Sequence, residues 1–236
     1  MLGLSVRDLR VSFRDLEKPA LAVPALEIAA GEKVAVTGPS GSGKTTFINI
    51  VTGLERIRQG SVRWSDTELS SLSEARRDRW RSAHVGLVMQ EFYLCPGLSA
   101  LENVLLPGRL SRVRPVAELK ADALRLLERV EISRPGQPVE TMSRGQMQRV
   151  AVARALVTKP AIVVADEPTA SLDADAGIAV ANLLLQLAGE AGTTLIVASH
   201  EKRLIERLDR VIRLEAGQVT RDTGASQEMA ERDEAF

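Results

Sequence analysis

The 236-residue chain has one cysteine, Cys95, and two histidines. A single thiol can form neither an intrachain disulfide nor a cysteine-rich metal site, which fits a reducing compartment such as the cytoplasm. Charge of one sign is not in surplus: 31 Lys and Arg stand against 31 Asp and Glu. A bulk electrostatic pull toward nucleic acid or anionic lipid is not indicated, and no nucleic-acid partner is expected. No apolar run approaches the ~18 residues of a membrane span; if the protein works at a membrane, another polypeptide crosses it. The first residues reach Arg7 and Asp8 too early for a signal peptide. Internal repeats and low-complexity blocks are missing as well. At 44% hydrophobic and 26% charged, the composition is that of an ordinary globular protein with a proper core.

What is present centres on Val34 to Thr46. A short valine-rich run stops at a glycine, and Gly38-Pro39-Ser40-Gly41-Ser42-Gly43-Lys44-Thr45-Thr46 then leads into the apolar-periodic Phe47, Ile48, Ile50 and Val51. This is G-x-x-x-x-G-K-[ST] between a strand and a helix. The glycines let successive N–H groups turn inward toward phosphate oxygens, and the helix start adds its positive end. In that pattern Lys44 reaches the β- and γ-phosphates and the Thr45 hydroxyl ligates Mg²⁺.

Elsewhere, Leu4 to Phe13 alternates with a slip at Arg7-Asp8, and Leu21 to Ile28 is strand-like, so the first residues read as an antiparallel β layer joined later by Gly60 to Trp64. Gly53 is expected to stop the Lys44 helix. Ser71-Leu72-Ser73-Glu74 and Ser99-Ala100-Leu101-Glu102 read as capping boxes opening helices, the second ended by Pro107-Gly108. Helical spacing covers Val116 to Val130 and Ala174 to Ala188, with a short helix over Lys202 to Leu208 and a hairpin across Ala216-Gly217. Strands are expected at His84 to Met89, Ala161 to Ala165 and Thr194 to Ala198. Ala161 to Ala165 is apolar throughout, as in a strand covered on both faces, and Thr194 to Ala198 reads as another buried strand. The expectation is α/β: a P-loop core with a mostly parallel sheet, an N-terminal antiparallel β subdomain and an inserted all-α subdomain. Residues 1–91 and 158–220 form the core with its β layer, 92–157 the helical insert and 221–236 a polar tail.

Asp166 and Glu167 follow the most hydrophobic strand, where open α/β sheets bind ligands. Asp166 suits a Mg²⁺ role opposite Thr45, and Glu167 suits a general base for an attacking water. Gln90, closing a strand, could ligate Mg²⁺ and touch that water, although a polar strand terminus is the commoner occurrence. His200 could hydrogen-bond a γ-phosphate, although most such histidines are surface residues. Ser143 as N-cap of a helix leaves free N–H groups at an anion-friendly end.

The order and spacing of the P-loop, Gln90, Ser143-Arg144-Gly145-Gln146, Asp166-Glu167, Ser171-Leu172-Asp173 and His200 resemble the ATP-binding-cassette (ABC) ATPase subunit over nearly the whole chain. The resemblance implies ATP and Mg²⁺ as ligands and Phe13 stacked on adenine. It also implies Asp173 at a dimer interface and Ser143 to Gln146 as the signature that binds the γ-phosphate held by the partner in a head-to-tail homodimer. The usual signature reads L-S-G-G-Q; here Met142 and Arg144 depart from it. Gln90 to Pro107 looks like the lipoprotein-release and macrolide-export group, peripheral ATPases on the inner, cytoplasmic face of the cell membrane. A separate permease is then expected to dock near Phe92, Tyr93, Leu94, Pro96 and Leu98, five stiff or large apolar residues in one loop. Two other readings stay open: a soluble cassette acting on nucleic acid, and a regulatory cassette with little turnover, which Arg144 alone supports.

Overall fold

The computed structural model describes residues 1–13, 17–111 and 115–224. Strand β1 (Leu4–Val11) pairs antiparallel with β2 (Leu21–Ile28). Both strands slip phase at the same level. Arg7 and Asp8 are both exposed, as are Pro24 and Ala25 opposite them, yet Arg7 still faces Ala25 and Leu9 still faces Val23. The matched slips keep Leu4, Val6, Leu9 and Val11 on the buried side together with Leu21, Val23, Leu26 and Ile28. Next come β3 (Lys33–Thr37), helix α1 (Lys44–Val51), β4 (Ser61–Trp64) and β5 (Thr67–Glu68). The sheet order β2-β1-β4-β5 completes the antiparallel layer.

The chain continues through α2 (Glu74–His84), β6 (Val85–Val88), α3 (Ala100–Ser111), α4 (Val116–Arg129), α5 (Arg144–Leu156), β7 (Ile162–Asp166), α6 (Ala174–Ala191), β8 (Thr194–Ala198), α7 (Lys202–Ile205), β9 (Arg210–Glu215) and β10 (Gln218–Asp222). The second sheet runs β10-β9-β3-β8-β7-β6, parallel except for the β9–β10 hairpin. That hairpin turns on Ala216 and Gly217, both at positive φ, the geometry of a two-residue turn that matches strand twist.

The wholly apolar strands are explained by what covers each face. Ala35, Val163, Ala165, Leu195 and Val197 pack into one core with α3 to α6. Their neighbours Val34, Ile162, Val164, Ile196 and Ala198 pack into a second core with α1 and the antiparallel layer. Each fully buried Val, Leu or Ile side chain contributes ~1.5–3 kcal/mol, so alternation is absent because neither face is solvated. Helix α1 lies between the two sheets through Phe47, Ile48, Ile50 and Val51, which anchors the loop before it.

Local details differ from expectation at several points. Pro107-Gly108 does not end α3, which runs on to Ser111. Gly108 is a packing residue: a Cβ there would lie 2.4 Å from Leu119 Cδ2 on α4, so its lack of a side chain sets how closely the two helices approach. Ser71 does not cap α2; Ser73 stands at that N-cap without a side-chain hydrogen bond. Glu68 organises the turn instead, accepting from the N–H groups of Val62 and Ser70. Helix α7 stops at Ile205, short of Leu208, and α6 extends past Ala188 to Ala191 before Gly192. Finally, Arg221 and Asp222 are not tail but strand β10, and Arg210 holds Asp222 at 2.6 Å. The rest of the expected polar tail, from 225, lies outside the described residues.

Candidate functional site

Between β3 and α1 the backbone makes a turn that only glycine permits at two points. Gly43 has φ 102°, and a Cβ there would lie 2.7 Å from the Ala20 carbonyl oxygen; at Gly38 it would lie 2.1 Å from that of Leu214. Gly43 is the N-cap of α1, and no side chain caps the helix. The first N–H groups of α1 are therefore left for an external acceptor, and the first turn carries no acidic residue to repel an anion. Lys44 Nζ donates to the carbonyls of Gly38 (2.9 Å) and Pro39 (3.1 Å), which holds the ammonium over the loop. Ser42 Oγ is buried without a partner.

The end of β7 faces this loop. Thr45 Oγ1 donates to Asp166 Oδ2 at 3.0 Å. Burial pushes the Asp166 carboxyl up from its ordinary value; the Thr45 hydrogen bond opposes this, the Glu167 charge adds to it and Lys44 opposes it. Thr45 and Asp166 together form a hard-oxygen pair that suits Mg²⁺, which keeps several waters and takes phosphate oxygens beside one or two protein ligands. Glu167 sits at φ 46°, outside the usual range for a residue with a side chain, and its N–H donates to Ala198 at 2.8 Å. Its Oε2 is buried with no aligned hydrogen bond, although His200 Nδ1 lies 2.9 Å away. A carboxylate oxygen held at a fixed place with spare acceptor capacity is what a base for water requires.

One cleft of about 820 Å³ collects Phe13, the Gly38–Thr46 loop, Gln90, Asp166, Glu167 and His200. Phe13, 41% exposed, stands at its edge. Gln90 lies just beyond β6 and is exposed to it. The expected residues of the P-loop, the two acids, Gln90, His200 and Phe13 are thus brought together.

Ser143 to Gln146 and Asp173 lie outside this cleft, at two helix starts that pack side by side. Ser143 caps α5 in a full capping box: its Oγ accepts from Gln146 N–H (3.2 Å) and Gln146 Oε1 accepts from Ser143 N–H (3.0 Å). Asp173 caps α6 by accepting from Ala176 N–H at 2.9 Å. Gly145 allows the contact between the two ends, since a Cβ there would meet Ala176 Cβ at 3.3 Å. Arg144 turns back onto its own chain, donating to the Ser171 carbonyl at 2.9 Å.

The apolar stretch after Gln90 is less open than its composition implies. Phe92 is buried, Leu94 and Leu98 are half-buried, and Tyr93 (68%) and Pro96 are exposed. Two residues not singled out from sequence shape it. Buried Asn103 accepts from Cys95 N–H at 2.7 Å and donates to the carbonyls of Cys95, Leu98 and Ser99. Arg154 donates to the carbonyls of Tyr93 (2.5 Å) and Phe92 (2.7 Å), and burial lowers its guanidinium from the ordinary value. This grip holds Tyr93 at φ 46°, a conformation rare for a bulky residue. The signal for both was a polar side chain within an otherwise apolar helical stretch: Asn103 among Leu101, Val104 and Leu105, and Arg154 between Ala153 and Ala155. A third residue, Gln148, ties α5 to the strand end by donating to the Pro168 carbonyl at 2.7 Å.

Comparison with known proteins gives one family model, "ABC transporter", which matches residues 21–170. The chain is 40% identical over 219 residues to the lipoprotein-releasing system ATP-binding protein LolD of Hydrogenovibrio crunogenus, covering 92% of this chain and 95% of that one. It is 39% identical over 218 residues to LolD of Pseudomonas fluorescens, at 91% and 95% coverage. Among solved structures, the ATP-binding cassette MJ0796 in a dimeric post-hydrolysis state bound to ADP and Pi matches with TM-score 0.84 and 34% identity, over 93% of this chain and 97% of that one.

Proposed function

This chain belongs to the ABC transporter family, and from that premise we propose that it is the ATP-hydrolysing subunit that drives a separate membrane permease, working as a homodimer on the cytoplasmic face of the membrane. The observation that carries the reading is the single cleft in which an uncapped helix start and its lysine face Asp166 and Glu167. None of the described helices is long and apolar enough to cross a membrane.

In this reading the backbone N–H groups of Gly38 to Thr46 cradle the phosphates, Lys44 neutralises them and Phe13 stacks on adenine. Thr45, Asp166 and Gln90 would hold Mg²⁺, which when bound spreads the charge that develops on the β- and γ-phosphates. Glu167 takes a proton from the attacking water, and His200 beside it contacts the γ-phosphate. Ser143, Gly145 and Gln146 serve the nucleotide of the second copy, Arg144 between them is turned onto the Ser171 carbonyl of its own chain, and Asp173 lies where the two copies meet. A homodimer with two-fold symmetry supplies both sites at once. Residues 1–91 with 158–220 act as the catalytic body and 92–157 as the helical arm that receives the permease. Arg144, the one support for a cassette with little turnover, is engaged within its own chain and leaves Ser143 exposed, which removes that support.

The test uses the chain purified with and without its permease. Hydrolysis should be faster in the complex, and Tyr93→Asp should abolish both co-purification and stimulation while the isolated protein keeps its melting temperature. Parental stimulation in Tyr93→Asp would move the docking site off the Gln90–Leu98 segment.

A further inference from the structure

Three segments meet on Arg144, the residue at which this chain leaves the usual signature. Its Nε donates to the Ser171 carbonyl at 2.9 Å, two residues before Asp173. Its guanidinium carbon lies 5.3 Å from the centroid of the Phe92 ring, two residues beyond Gln90. Ser171 reaches the same segment directly, donating through Oγ to the Gln90 carbonyl at 3.4 Å. Arg154 donates to the Phe92 and Tyr93 carbonyls, so the backbone that carries the ring under Arg144 is held in place. The signature helix, the loop leading to α6 and the stretch from Gln90 to Tyr93 are thereby joined in a closed circuit. A cation in the first turn of a helix is disfavoured by the helix dipole. Here an aromatic face and a carbonyl oxygen compensate it. A glycine at this position could make neither contact.

We propose that Arg144 is a positioning residue that locks the docking segment, the Asp173 loop and the start of α5 into one body. It acts through Phe92 and Ser171 and does not touch the nucleotide. The proposal rests on the ATPase–permease reading above and deepens it. A displacement imposed at Tyr93 by a permease reaches Ser143 and Asp173 of the same subunit through Arg144, and from there the site of the second copy. The geometry demands arginine rather than any cation. A planar guanidinium can lie flat on Phe92 while one of its N–H groups points at Ser171; a lysine ammonium is a compact point charge that can satisfy one contact at a time.

Two measurements test this on the parent, R144K and R144M. Position 144 is exposed, so both variants are expected to fold. Amide hydrogen exchange on the isolated chains reads the tie itself. Both variants should exchange at least about threefold faster over 90–94 and 170–173, with the 134–137 loop unchanged. In the permease complex, both should lose at least about fivefold in stimulated kcat while KM for ATP stays within about twofold. Unchanged exchange would overturn the proposal. So would parental kcat in R144K, which would make charge alone the requirement. A raised KM with kcat retained would overturn it too, by placing the guanidinium on the nucleotide. If the parent itself showed no permease stimulation, the ATPase–permease reading would fail, and the exchange experiment would still decide whether the tie exists.

Discussion

Two helix starts in this chain are built in opposite ways. The start of α1 has a left-handed glycine as its cap and no side-chain hydrogen bond. The start of α5 has a full capping box, with Ser143 and Gln146 satisfying each other. The first end is left open by its own chain and is surrounded by Lys44, Thr45 and Asp166, so it can hold phosphates unaided. The second is largely closed on itself. It retains the backbone N–H groups of Arg144 and Gly145, and it packs beside the start of α6, away from the cleft that holds Asp166 and Glu167. The difference teaches that an anion-friendly helix end is not one device. An uncapped end binds; a capped end is stable alone and can be presented to another molecule's ligand.

Removing the chemistry from the open end should have the largest effect. Glu167→Gln keeps size and polarity but not basicity, and turnover should fall by ~10²–10⁴-fold. ATP binding should persist, seen as a nucleotide-dependent dimer on a sizing column; phosphate release above a tenth of the parental rate would remove Glu167 from the role of base. Lys44→Ala should act on affinity. Loss of a charge-assisted contact worth ~1.5–3 kcal/mol weakens ATP binding by about tenfold or more. The rise in melting temperature caused by ATP should shrink with it; an undiminished rise would mean that the open end is not the cradle. The closed end should respond most weakly and in a different quantity. Ser143→Ala removes a cap worth ~0.5–2 kcal/mol, which lowers the melting temperature of the nucleotide-free protein by a few degrees. If the melting temperature did not move, the capping box would not be what stabilises α5, and the contrast between the two ends would lose its basis.

The open end was legible in the sequence because it is contiguous: glycines, lysine and threonine stand in one stretch whose geometry follows from local backbone chemistry. The strands were legible because Ile162 to Ala165 and Leu195 to Ala198 are apolar on both faces. Helix ends were read less well. Gly108 resembled a stop and proved to be a point of close approach to Leu119, a contact between helices that no local pattern announces. The surroundings of Arg144 were illegible for the same reason. Whether its guanidinium faces a phosphate or its own chain depends on where the fold brings Ser171 and Phe92, and those contacts span long sequence separations. The apolar run from Phe92 to Leu98 advertised an exposed patch, but composition does not disclose that Asn103 and Arg154 fold it into a rigid loop with Phe92 turned inward.

In the proposed head-to-tail homodimer the closed end of one chain completes the open end of another. Lys44→Ala and Gly145→Asp, each purified alone, should be nearly inactive, because in each homodimer both sites carry one lesion. Mixed in equal amounts, half the dimers contain one chain of each kind, and in those both lesions fall on one site and leave the other intact. The mixture should therefore recover about a quarter of the parental rate of ATP hydrolysis if the sites turn over independently. A mixture no more active than the average of its two components would contradict the account, since it would mean that each chain's own signature segment serves its own nucleotide.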